Sequence, residues 1–89
     1  MRVTFDPAKN AANRLKHGLD LSEAATALFD PKAIIREDVD AAGEQRLCAV
    51  GLDARGRVLT LIYTYREPDI IRLISARRAT KRERQAYES

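Results

Sequence analysis

The 89-residue sequence has no tryptophan, one cysteine and one histidine. A lone thiol excludes an internal disulfide framework. Its apolar setting, Leu47-Cys48-Ala49-Val50, reads as a small buried hydrophobe in a reducing compartment. One Cys and one His do not make a structural zinc site. There is no Gly-rich phosphate loop, no C-x-x-C, no H-E-x-x-H and no G-x-S-x-G, so the sequence implies no nucleotide cofactor and no metal. No signal peptide is visible and no apolar run approaches the length that crosses a bilayer, which predicts a cytoplasmic protein with no membrane partner. Repeats and low-complexity segments are absent as well.

What is present is enough for one small domain, spanning residues 1–89. A hydrophobic content of 45% argues against disorder over most of the length. The net charge of +3 matters less than its distribution. From Arg72 to Ser89 there are six Lys or Arg against two Glu, whereas Glu37, Asp38, Asp40 and Glu44 make an acidic stretch. A basic end and an acidic loop suggest a polyanionic partner at the basic end; an ordinary solvated charged helix is the alternative.

The local signals give the order β-α-α-β-β-β-β-α, an α+β domain. Arg2-Val3-Thr4-Phe5 is a short strand. Asp6 caps a helix over 7–17, with Pro7 at its first position and Gly18 beyond its end. Ala8, Ala11, Ala12 and Leu15 would be its buried stripe. Ser22 is expected to cap a second helix, Glu23 to Phe29, packed through Ala24, Ala25, Leu28 and Phe29 and stopped by Asp30-Pro31. A strand around Ala33-Ile34-Ile35 follows, then a hairpin from Gln45–Leu52 through Asp53-Ala54-Arg55-Gly56 to Arg57–Arg66. The second hairpin strand is apolar on both faces and should be central. After the turn Glu67-Pro68-Asp69, residues 70–77 form the last strand. Four later strands would meander antiparallel, with the first strand at an edge or beside the central one and the two early helices on one face.

The last strand carries an unusual feature. Arg72 interrupts an apolar β-branched run, and its charge needs either a carboxylate of this chain or a ligand anion. Arg77 and Arg78 sit at the strand's end. Thr80 and Glu83 then spell a capping box, starting a helix that carries Lys81, Arg82, Arg84 and Tyr87. Guanidinium groups beside a helix N-terminus suit a phosphate. Lys, Arg, one His and a few hydroxyls fit metal-free RNA cleavage, in which the 2′-hydroxyl attacks the adjacent phosphate. The reaction needs a base, cations for the phosphorane and an acid for the leaving oxygen. His17 has the right intrinsic pKa for acid or base, yet a His before a helix-ending Gly also suits the last carbonyls. Tyr87 could stack on a base or donate a proton.

Phe5-Asp6-Pro7-x-Lys9, Asn13, Lys16-His17-Gly18, Glu23-Ala24, Asp30-Pro31, Gly43-Glu44-x-Arg46, Gly51, Arg57, Thr64-x-Arg66, Ile71-Arg72-x-Ile74-Ser75-Ala76-Arg77-x-Ala79 and Glu83-Arg84-x-x-Tyr87 together resemble the BrnT toxin family over nearly the whole chain. One departure is Phe5, where that family usually has tryptophan. The resemblance implies a RelE-like fold, with a small antiparallel sheet, two N-terminal helices on one face and a C-terminal helix. It implies a metal-independent endoribonuclease that arrests translation. The implied partner is a BrnA-like antitoxin with a ribbon-helix-helix DNA-binding domain, in a complex thought to hold two copies of each. Carried onto this chain, Lys16, His17, Arg72, Arg77 and Tyr87 become catalytic candidates, and Arg57, Arg78, Lys81 and Arg82 RNA-binding candidates. The competing readings are a non-catalytic nucleic-acid-binding module and a partner-binding module.

Overall fold

The computed structural model describes residues 1–39, 43, 45–66 and 69–89. The elements are β1 (Arg2–Thr4), α1 (Pro7–His17), α2 (Leu21–Ala24) continued by a 3₁₀ turn (Ala25–Phe29), β2 (Ile34–Val39), β3 (Gln45–Leu52), β4 (Val58–Arg66), β5 (Ile70–Arg78) and α3 (Lys81–Glu88). The expected order is met. One sheet contains all five strands in the order β1-β5-β4-β3-β2, so β4 is central. Strands β2 to β5 meander antiparallel, while β1 joins at the β5 edge in parallel, which makes the sheet mixed. Asp40 and Glu44 of the acidic stretch, and Glu67-Pro68 of the last turn, lie outside the described residues. No helix among the described residues is long and apolar enough to cross a membrane.

The termini of α1 follow the sequence signals. The Asp6 carboxylate accepts from the Ala8 N–H at 2.8 Å, and Gly18 takes φ 70° as it closes the helix onto the Arg14 carbonyl. Its packed face is the opposite of the expected one. Ala8, Ala11 and Ala12 are exposed and Leu15 is 93% exposed, while Asn13 is 5% exposed. Asn13 accepts from the Ala76 N–H of β5 and donates to the Leu19 carbonyl, both at 3.0 Å, and Asn10 accepts from the Leu21 N–H at 2.8 Å. Strand β1 ends opposite Arg72, so the edge of β5 beyond it is left to a side-chain amide. Satisfying buried backbone groups outweighs burying three alanines and a leucine.

The second helix also differs in detail. Asp20, not Ser22, is the N-cap: its carboxylate accepts from the Ser22 N–H and hydroxyl, at 2.8 and 2.6 Å. This two-residue shift lets Leu21 enter the core. The tightening to 3₁₀ then sets the buried stripe at every third residue, Leu21, Ala24 and Ala27, all fully buried. Phe29, expected inside, is turned out by that change of period and is 60% exposed.

These residues pack with Leu19 on Ala49 of β3, Leu59, Leu61 and Tyr63 of β4 and Ile71, Leu73 and Ala76 of β5. The 3₁₀ turn approaches β3 so closely that a Cβ on Gly51 would stand 2.6 Å from the Ala27 carbonyl oxygen. Gly51→Ala is therefore expected to cost about 2 kcal/mol, since the clash is with backbone; chemical denaturation of the two proteins checks it. Cys48 is buried, as expected, and burial pushes its thiol up.

Candidate phosphate-binding site

Alternation along β4 sends Leu59, Leu61 and Tyr63 toward the helices and Thr60, Ile62 and Thr64 to the other face. On β5 the alternation is broken once. Tyr63 pairs with Leu73 and Ile62 with Ser75, so Ile74 is the extra residue of a β-bulge. Arg72 lies opposite Thr64 and Arg77 opposite Thr60. Five residues apart, these arginines would point to opposite faces of a regular strand. The bulge puts both on the face that α1 and α2 leave.

Arg72 is half-buried, and no carboxylate meets it among the described residues. It opens into a cavity of about 280 Å³ lined by Lys9, Arg46, Thr64, Arg66, Arg72 and Ile74. Arg46 comes from β3, in register with Asp38 of β2. Thr64 is 6% exposed, and its buried hydroxyl has no hydrogen-bond partner among the described residues. An unmade bond of this kind costs roughly 1–3 kcal/mol. A bound anion would make it, and would offset the repulsion among Lys9, Arg66 and Arg72, in a lining that contains no carboxylate.

A second hollow, about 210 Å³, adjoins this one and shares Lys9 and Ile74 with it. Ala12, Asn13, Lys16, His17 and Ser75 complete its lining. Among the described residues no hydrogen bond holds the His17 ring, and the Arg14 carbonyl is taken by the Gly18 N–H instead. Lys16 and His17 line one hollow and Arg72 the other, and the two share Lys9 and Ile74.

The other candidates lie elsewhere. Arg77 is separated from Arg72 by roughly 13 Å along the bulged strand, and Glu83 clamps it in a fork, with bonds of 2.7 and 2.9 Å. The same carboxylate accepts from the Thr60 hydroxyl and from the Thr80 N–H, completing the capping box. Chiefly through the Arg77 bonds, its pKa is held down at about 2, and Arg77 is raised in return. Arg57 gives both Nε and Nη2 to Asp53, whose side chain is fully buried. Burial pushes the Asp53 carboxyl up, but the Arg57 bonds overcome this and leave it below its ordinary value. The Tyr87 hydroxyl donates to Asp30, which lowers the carboxyl and raises the phenol. Arg78 and Tyr87 line a hollow at the far end of the sheet, and Lys81 and Arg82 are exposed on the first turn of α3. The structure does not bring these residues to Arg72.

Lys9, Arg46, Thr64 and Arg66 were not among the site candidates. Each falls inside a segment that carries the family resemblance, the sequence signal that marks it.

The fold is an α+β sheet that presents a guanidinium and further cations around an unsatisfied hydroxyl, a candidate seat for an anion. A family model for the ribonuclease toxin, BrnT, of type II toxin–antitoxin systems matches residues 5–83, and the chain belongs to that family. Among solved structures, the 1.1 Å crystal structure of the Brucella abortus ribonuclease toxin, BrnT, is similar, with a TM-score of 0.70 and 25% sequence identity over 91% of this chain and 99% of that one. No curated protein matches. The protein is accordingly a ribonuclease toxin of a type II toxin–antitoxin system, with RNA as its substrate class and an antitoxin as its counterpart.

Proposed function

We propose that the Arg72 cavity seats the scissile phosphodiester of RNA and that cleavage proceeds without a metal. The observation that carries this is the Arg72 guanidinium, unmatched by any carboxylate among the described residues and opening beside the buried Thr64 hydroxyl. In the reaction the 2′-hydroxyl loses its proton to a base and its oxygen bonds to phosphorus. The bond to the 5′-oxygen then breaks, and that oxygen takes a proton. The products are a 2′,3′-cyclic phosphate and a 5′-hydroxyl. Arg72 meets two phosphate oxygens in a fork, Thr64 donates to one of them, and Lys9 and Arg66 add charge that counts most as the phosphorane forms. His17 and Lys16, at the adjoining hollow, supply the proton transfers. A cavity lined by cations and a hydroxyl repels a divalent ion, which supports the metal-free route.

In the cell this cleavage arrests translation in the cytoplasm. The neutralising partner is a BrnA-like antitoxin with a ribbon-helix-helix domain, two copies of each chain making the complex. The direct test is incubation of purified toxin with single-stranded RNA in excess EDTA. Full activity, with cyclic phosphate at the 3′ ends, is the expected result. Binding without cutting would replace the enzyme by a nucleic-acid-binding module, and loss of cutting that Mg²⁺ restores would end the metal-free route.

A further inference from the structure

The far end of the sheet has a hollow of its own, about 460 Å³, that the proposed chemistry does not use. Its lining comes from three strand ends and one helix: Leu52 of β3, Val58 of β4, Arg78 of β5, and Arg84, Tyr87 and Glu88 of α3, with Arg57 at the turn. Arg57 is already matched by Asp53. Arg78 and Arg84 are exposed, and no carboxylate meets either among the described residues, even though Glu88 stands on the same rim. Lys81 precedes Arg84 by three residues, so it lies on the same side of α3 and extends the basic surface.

We infer that this hollow is a second phosphate-binding subsite, which holds the RNA chain several nucleotides away from the bond that is cut. The inference rests on the ribonuclease reading of the Arg72 cavity and extends it to substrate length. One strand links the two places. Arg78 follows Arg72 by six residues on β5, five regular steps once the Ile74 bulge is allowed for, roughly 17 Å; paired with Leu59, it points to the other face, so the RNA would turn over the end of the sheet between the two places. A stacked strand covers that distance in about five nucleotides at 3.4 Å per phosphate, and an unstacked strand in fewer. Between them, Arg77 is neutralised by Glu83, so the attraction is concentrated at two separated points. The guanidinium fork suits phosphate oxygens, and the exposed side of Leu52 and the half-buried Tyr87 ring offer a base something to lie against. An acidic protein segment is the weaker fit. The flat Tyr87 ring beside the Arg78 and Arg84 guanidinium groups matches a base next to its phosphate better than a carboxylate side chain.

The test compares wild type with the Arg84→Gln and Arg78→Gln/Arg84→Gln variants on RNAs of roughly four and roughly twelve nucleotides that share one cleavage site. In the double variant the ratio of kcat/KM for long over short RNA is expected to fall about tenfold, through KM for the long RNA. In parallel, binding of a twelve-nucleotide 2′-deoxy analogue, which cannot be cut, is followed against salt. Loss of two single-strand phosphate contacts should lower the slope of log K against log salt by about 1.4. An unchanged ratio and an unchanged slope would overturn the subsite. So would a loss of antitoxin affinity with RNA binding intact, which would assign the hollow to the protein partner. Wild type that binds the analogue but never cuts RNA would instead refute the ribonuclease reading, and the binding arm would still judge the hollow.

Discussion

Arg72→Ala is expected to lower RNA cleavage by 10²–10³-fold, the scale on which a single donor to a developing oxyanion is felt, and to abolish growth arrest on expression. Its thermal midpoint should stay within a few degrees of wild type. The two expectations belong together. A guanidinium that satisfied a carboxylate of its own chain would leave a buried charge behind when removed. Arg72 meets none among the described residues and sits beside Lys9 and Arg66, so its removal relieves repulsion. Arg72→Lys separates charge from shape. It keeps the cation and loses the fork, and a remaining deficit of about tenfold against wild type would show that bidentate contact matters. Initial rates on a short RNA, together with thermal melts of the same samples, check all three statements.

Glu83→Ala should have the largest effect on stability. One carboxylate holds the Arg77 fork, the Thr60 hydroxyl and the Thr80 N–H, and so ties the first turn of α3 to β4 and β5. Its removal strands a fully buried threonine hydroxyl and a half-buried arginine and undoes the capping box. The expected loss is about 3 kcal/mol, since stranding one partner of a buried pair costs 3–5 and Arg77 here is partly solvated. In a domain of this size that is a fall of roughly 12–24 °C in Tm. The same group makes the fold acid-sensitive. In the folded chain it titrates at about 2, against an ordinary value of 4.5. Its stabilisation is therefore complete above about pH 4.5 and drains away as pH falls toward 2. In Glu83→Gln that portion of the acid unfolding should be missing. The double variant Arg77→Ala/Glu83→Ala should lose less than the sum of the single losses, since neither charge is then stranded.

The sequence announced its punctuation more clearly than its packing. Asp6-Pro7, Gly18, Asp30-Pro31 and Thr80-x-x-Glu83 set helix limits that the structure keeps, because caps are local chemistry. The central position of β4 was legible from its two-sided apolar pattern. The buried face of α1 was not. Hydrophobic periodicity points to Leu15, but Asn10 and Asn13 face inward to satisfy backbone groups of Leu19, Leu21 and Ala76, the last 63 residues away and outside any local window. The same limit governs the site. Arg72 stood out because a charge in an apolar strand demands an explanation. Arg77 stood out for its setting, yet the capping-box glutamate that marks the helix start is also its partner. The bulge at Ile74, which decides what shares a face with Arg72, leaves no mark in the order of residues, and Lys9, Arg46, Thr64 and Arg66 reach the cavity from α1, β3 and β4.

The most direct measurement follows the arginine Nε–Hε resonances, assigned by substitution, while a short RNA with a 2′-deoxy sugar at the cleavage site is titrated into the labelled toxin. The Arg72 signal should move most and saturate with the RNA, while the Arg77 signal, held by Glu83, stays in place. Movement of Arg77 with Arg72 unperturbed would contradict the assignment of the scissile phosphate to the Arg72 cavity.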